Sequence, residues 1–316
     1  MIQREIVRNT ITFKGAERMP YTLTKDYGSD IHGVNATPNP DARLSKGIDE
    51  WGSVWDNIGV CNLGEIKSPA LKDWNDFDKL TIPDYKNPAR YSTIPDQVKA
   101  GGDKFILGSG ISLYERIHFI RGLENAWMDI YDNEDNLKML IDILVDMNLH
   151  MIGEYKKAGV DGYLWADDWG LQDRLMISPA KWREIWKPAY ARVYKAAHEE
   201  GMLTFLHSCG YIVDILDDLI EVGLDVIQMD QQENMTLELL SERYRGRITF
   251  WNPVDIQQTM VKGSLEEIRS YARKMSKMLS TEKGGFIGKV YADVKGAGHR
   301  PEAVAAMCDE FIKIAI

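Results

Sequence analysis

The sequence predicts an α/β protein made of repeated strand–helix units. Two observations carry that expectation. From about residue 103 onward, short apolar runs rich in β-branched or aromatic residues alternate with amphipathic segments. The turns between them are short, and several helices start and stop at capping residues. Right-handed βαβ units either open into a doubly wound sheet or close into a (β/α)8 barrel. A chain of 316 residues is long enough for one barrel or two ordinary domains. No Pro/Gly linker separates two cores, so one domain over 1–316 is expected, with an elaborated N-terminal loop region.

Strands are expected at Met19–Leu23, Lys104–Leu107, Gly162–Ala166, Leu203–His207, Asp225–Met229, Ile248–Trp251 and Gly285–Val290, with an eighth near the start. The longest helix runs from about Asp135 to Lys157, with Leu137, Leu140, Ile141, Leu144, Met147, Met151 and Tyr155 on one face and Gly159 as its C-cap. Ser178 and Pro179 supply the N-cap and N1 of a helix over Lys181–Glu199, and Ser264 with Glu267 forms a capping box. Residues 25 to 102 are rich in Asp, Asn, Pro and Gly and read as long loops that would form a lid or substrate wall.

Composition narrows the function. With 44% hydrophobic residues and nine tryptophans the chain can bury a large core. Its net charge of −10 is spread along the sequence and argues against nucleic acid or an anionic membrane as partner. No apolar run approaches a membrane span or a signal peptide. Three widely spaced cysteines, Cys61, Cys209 and Cys308, make a poor disulfide framework, so a cytoplasmic location is expected. Gly108-Ser109-Gly110 lacks the third glycine of a dinucleotide loop, and no G-x-S-x-G elbow occurs.

In a barrel the reacting groups project from the carboxyl ends of strands. His207 and Cys209 lie two apart at one such end, so an imidazole and a thiol would face one point, and that pair suits zinc. A buried cysteine beside a hydrogen-bonded histidine is the bland reading of the same pair. Catalytic zinc normally has three protein ligands, and Asp230, Glu233, Asp167 or Asp255 could add an oxygen, whereas Cys308 sits on the apolar face of a helix and reads as core. Asp167 and Asp168 offer carboxylates for proton transfer, substrate anchoring or metal binding, but neighbours on a strand point oppositely, so one of them is expected to face the pocket. Glu115 is either half of a buried ion pair or a catalytic charge. Trp51, Trp165 and Trp251 are candidate pocket walls, while Trp182 and Trp186, at i,i+4, read as core. Asp230, Asn252, Asp255 and Tyr291 complete the candidate substrate-binding set.

The run Gly162–Gln172, Ile177-Ser178-Pro179, Trp182, Lys187-Pro188 and His207–Gly210 resembles the uroporphyrinogen decarboxylase superfamily. So do Glu17–Pro20, Leu113–Arg116, Arg121–Asn125 and Asn252–Asp255, in that family's order along nearly the whole chain. The resemblance implies a (β/α)8 barrel and one of two activities. True decarboxylases of that superfamily open with several substrate-gripping arginines, where this chain has Arg18 alone. His207-x-Cys209 is similar to the first two zinc ligands of the methyltransferase branch, although the cysteine that usually follows the last strand is missing from Gly285–Asp293. The resemblance therefore implies zinc, a corrinoid carried on a separate partner protein, and a small-molecule methyl donor or thiol or pterin acceptor. A cofactor-free, decarboxylase-like lyase using Asp167 or Asp168 is the alternative.

Overall fold

The computed structural model describes residues 1–38, 47–56 and 64–314, so Cys61 lies outside the described residues. Among the described residues there are ten strands: β1 (Tyr21–Thr22), β2 (Ile31–Val34), β3 (Val54–Asp56), β4 (Glu65–Ser68), β5 (Phe105–Ser109), β6 (Gly162–Ala166), β7 (Leu203–His207), β8 (Val226–Gln228), β9 (Thr249–Asn252) and β10 (Phe286–Lys289). Eight of them pair in parallel in the order β1-β10-β9-β8-β7-β6-β5-β2, and β3 and β4 form a separate antiparallel hairpin. The expected barrel is present, nearly closed, with helices between successive strands.

The seam lies between β1 and β2, and a side chain bridges it. Asp30 is fully buried. It accepts from both Nη atoms of Arg18 at 2.7 and 2.6 Å and from the Tyr21 backbone N–H at 2.9 Å. Arg18 is thus committed to closing the barrel.

Period-2 alternation decides what each strand shows to the interior. Phe105, Leu107, Leu203, Phe205, Val226 and Ile287 fill the barrel, joined from below by Val7 and Ile11 of the helix Gln3–Ile11. That helix seals the floor, with Arg4 and Arg8 reaching Asp161 at 3.0 and 3.4 Å. Burial of each such aliphatic side chain is worth about 1.5–3 kcal/mol. Gly162 is required here, because a Cβ would lie 2.8 Å from the Phe205 ring and 2.9 Å from the Phe105 ring.

Two expectations need correction. The helix read over Lys181–Glu199 is two, Pro179–Ile185 and Lys187–Glu199, meeting at Trp186 where Pro188 can offer no backbone N–H to continue the ladder. The region 25–102 is not only loop: it holds β2, the β3–β4 hairpin and the helix Ile94–Gly101. Among the described residues no helix is long and apolar enough to cross a membrane.

Candidate metal centre

The inward column of β7 is Leu203, Phe205, His207, so alternation carries the imidazole to the barrel mouth and Cys209 follows just beyond. On β6, Leu164 belongs to the barrel interior and Trp165 does not, and continuing that alternation turns Asp168 inward and Asp167 outward. Asp168, His207 and Cys209 therefore converge, each offering a ligand atom within 4.8 Å of the others. His207 Nε2 is 3.5 Å from Cys209 Sγ and 3.4 Å from Asp168 Oδ1. Asp168 Oδ1 also accepts the Cys209 backbone N–H at 2.8 Å, tying the two loops together.

Those loops touch at two glycines. A Cβ on Gly210, whose φ is +76°, would stand 2.2 Å from the Gly170 carbonyl oxygen, and one on Gly170 would stand 2.3 Å from the Tyr211 nitrogen. Substitution at either position would push Asp168 and Cys209 apart. Sequence reasoning gave neither glycine a role.

A nitrogen, a sulfur and a carboxylate oxygen form a donor set suited to zinc, with room for a fourth ligand. The ring supports this fit, because His207 Nδ1 is hydrogen-bonded to Gln228 Oε1 and its other nitrogen is turned to Cys209 and Asp168. Gln228 and His207 are register neighbours on β8 and β7. Burial, with the Asp168 and Asp230 carboxylates adding, pushes the Cys209 thiol up, against a smaller opposing effect of Lys289. A cation would have to displace that proton on binding.

A model of the uroporphyrinogen decarboxylase (URO-D) family matches residues 65–313. The chain belongs to the URO-D family. A methylcobamide:CoM methyltransferase, MtbA, of Methanosarcina mazei is 22% identical over 213 residues, 65% of this chain and 60% of that protein, so the match spans less than two thirds of the relative's length. A solved methyltransferase structure from Methanosarcina mazei superposes with a TM-score of 0.70 at 14% identity, covering 99% of each chain, which supports the fold.

In this URO-D family chain the other expected site residues divide clearly. Asp230 accepts from Gln228 Nε2 at 2.9 Å and Lys289 Nζ at 3.0 Å. Trp251 is half-buried below the mouth, 5.7 Å from Lys289 Nζ, and donates from Nε1 to Thr22 at 2.8 Å. Tyr291 is raised by burial and then by Asp230 and Cys209, which places it beside the same cluster. Glu115 is half-buried, and that burial, with the Asp167 and Asp168 charges, raises its carboxyl to about 8.

Asp167, Trp165, Asn252 and Asp255 are not brought to the mouth. Asp167 faces the helical layer, fully buried, accepting from the backbone of Leu113, Tyr114 and Glu115, from Trp165 Nε1 and from the Tyr190 hydroxyl. Desolvation raises its carboxyl to about 6 against the lowering effect of those bonds. Trp165 is buried outside the barrel, stacked 5.0 Å from Tyr194. Asn252 is buried against Gln232, and Asp255 caps the backbone of Gln257 to Thr259. Alternation explains the first three and a local turn the last.

Trp51 lines a different cavity of about 340 Å3 with Glu50, Tyr85, Arg90 and Ser109, and none of its described walls belongs to the metal cluster. Glu233 is committed to the Tyr271 hydroxyl. Cys308 is fully buried among the core residues, as its helix position suggested.

Proposed function

We propose that this chain is a zinc-dependent methyltransferase that moves a methyl group between a corrinoid carried on a partner protein and a small methylated compound or a thiol or pterin acceptor. The observation that carries the proposal is the convergence of Asp168, His207 and Cys209 within 4.8 Å at the mouth of a URO-D-family barrel. Its distant likeness to a methylcobamide:CoM methyltransferase supports the same reading. Asp168 supplies the third donor that the resemblance left unassigned.

Bound among these three groups, zinc would supply Lewis acidity at one open position. The protein's own side chains do the rest. Glu115, with its carboxyl raised to about 8, holds a proton at neutral pH and can deliver it to the heteroatom that loses a methyl group. The decarboxylase alternative loses support, since Arg18, the one arginine of the matching stretch Glu17–Thr24, is spent on Asp30.

The test is metal content by mass spectrometry on protein purified without a histidine tag, followed by methyl transfer from methylcobalamin to a panel of thiols and from methoxylated and methylated-amine donors to reduced cobalamin. One zinc per chain, lost in Cys209→Ala, is expected. Wild-type protein that takes up no zinc even from a zinc-supplemented buffer overturns the proposal.

A further inference from the structure

Behind the metal cluster, four polar side chains run in a row across the tips of β7, β8 and β10. Lys289 Nζ donates to Asp230 Oδ1 at 3.0 Å, and Gln228 Nε2 donates to the same oxygen at 2.9 Å. Gln228 Oε1 in turn meets His207 Nδ1. The far end is well shielded, the Lys289 and Asp230 side chains being 12% and 5% exposed.

The order of donors along this row is forced. An ionised carboxylate only accepts, and an amide has one donating and one accepting end. Asp230 therefore selects the NH2 end of Gln228, which leaves the carbonyl end for His207. An accepting oxygen at Nδ1 requires that nitrogen to carry the hydrogen, so Nε2 keeps its lone pair. Nε2 is the nitrogen that faces Cys209 Sγ and Asp168 Oδ1.

We propose that Gln228, Asp230 and Lys289 are positioning residues that lock His207 in its Nδ1–H tautomer and so present Nε2 to the cation. This rests on the metal reading above. Lys289 contributes by donating to the same Asp230 oxygen, which holds that carboxylate where the amide meets it.

The experiment reads the tautomer first, without metal. Long-range proton–nitrogen correlation spectra of metal-free, 15N-histidine-labelled protein at neutral pH are expected to show Nδ1 protonated and Nε2 unprotonated in the wild type. Gln228→Leu, which fills the same buried space without an acceptor, is expected to give a tautomer mixture and a 10- to 100-fold weaker zinc affinity, on the order seen when the outer partner of a metal-bound histidine is removed. Asp230→Asn, which lets the amide reverse, should move both readouts the same way by less. A wild-type ring protonated on Nε2, or a Gln228→Leu protein with unchanged tautomer and zinc affinity, overturns the proposal. Wild-type protein with the Nδ1–H tautomer but no zinc uptake overturns the metal reading instead, leaving the tautomer control standing.

Discussion

The two ends of this barrel are built from the same strands and do opposite things. At the floor, Val7 and Ile11 press into Phe105, Phe205 and Ile287, and Arg4 and Arg8 share the Asp161 carboxylate at the rim. At the mouth the same inward columns end in His207, Gln228 and Lys289, and the groups beyond them are carboxylates and a thiol. A strand can carry hydrocarbon at one end and chemistry at the other because alternation fixes direction and not residue type. The lesson is that stability and reactivity are separable here by substitution.

The largest stability effect should come from the floor side. Phe205→Ala is expected to cost roughly 3–5 kcal/mol in urea unfolding by opening a cavity beside Phe105, while zinc content per folded chain stays at the wild-type value. A matching loss of zinc would break the separation. Next is Asp167→Ala, which orphans backbone donors at 113 to 115 and should cost roughly 1–3 kcal/mol for a buried donor left unsatisfied, again sparing zinc.

Its neighbour should behave in the reverse way. Asp168→Ala, at a side chain 37% exposed, is expected to change stability by no more than about 0.5 kcal/mol while sharply weakening zinc uptake. Equal effects of the two substitutions on metal content would show that the outward and inward assignments are mistaken.

The last effect is confined to pH. The Glu115 carboxyl is raised to about 8 in the folded protein from an ordinary 4.5, so the folded state keeps a proton that the unfolded chain releases between those values. Its contribution therefore favours folding below about pH 4.5 and fades as pH rises through about 8. Glu115→Gln should flatten that part of the stability profile measured by thermal unfolding, and should lower methyl transfer from methylated donors across the pH range, with no further fall near pH 8. A wild-type slope that persists in the variant would remove Glu115 from the site.

Much of the fold was legible because the strands are short, apolar and evenly spaced. Gly162–Ala166 and Leu203–His207 were delimited to the residue. The strand Ile31–Val34 escaped because four residues containing His32 and Gly33 carry no apolar alternation and no helix follows directly. The helix Gln3–Ile11 escaped for a different reason: its value lies in what it covers, and covering is a tertiary property.

At the site, the two-residue spacing of His207 and Cys209 announced their convergence, and the rule of opposite faces announced that Asp167 and Asp168 would part company. Which of the pair faced inward could not be read, because the strand's register against its neighbours is set by packing. Gln228 was hidden for the same reason: its role comes from standing beside His207 on an adjacent strand, which sequence separation conceals. Trp165 misled because a large aromatic at a strand end suits either face.

Closure of the ring has a consequence for how the chain is made. Tyr21 of β1 pairs with Gly288 of β10, and Gly285 donates its backbone N–H to Thr10. At ribosomal speeds of about 5–20 residues per second, the first of these partners waits roughly ten to fifty seconds for the other. During that interval the apolar side of Gln3–Ile11 covers a barrel that has not closed, so the segment synthesised early is among those that settle late, and nascent chains halted before β10 should depend on chaperones for their solubility.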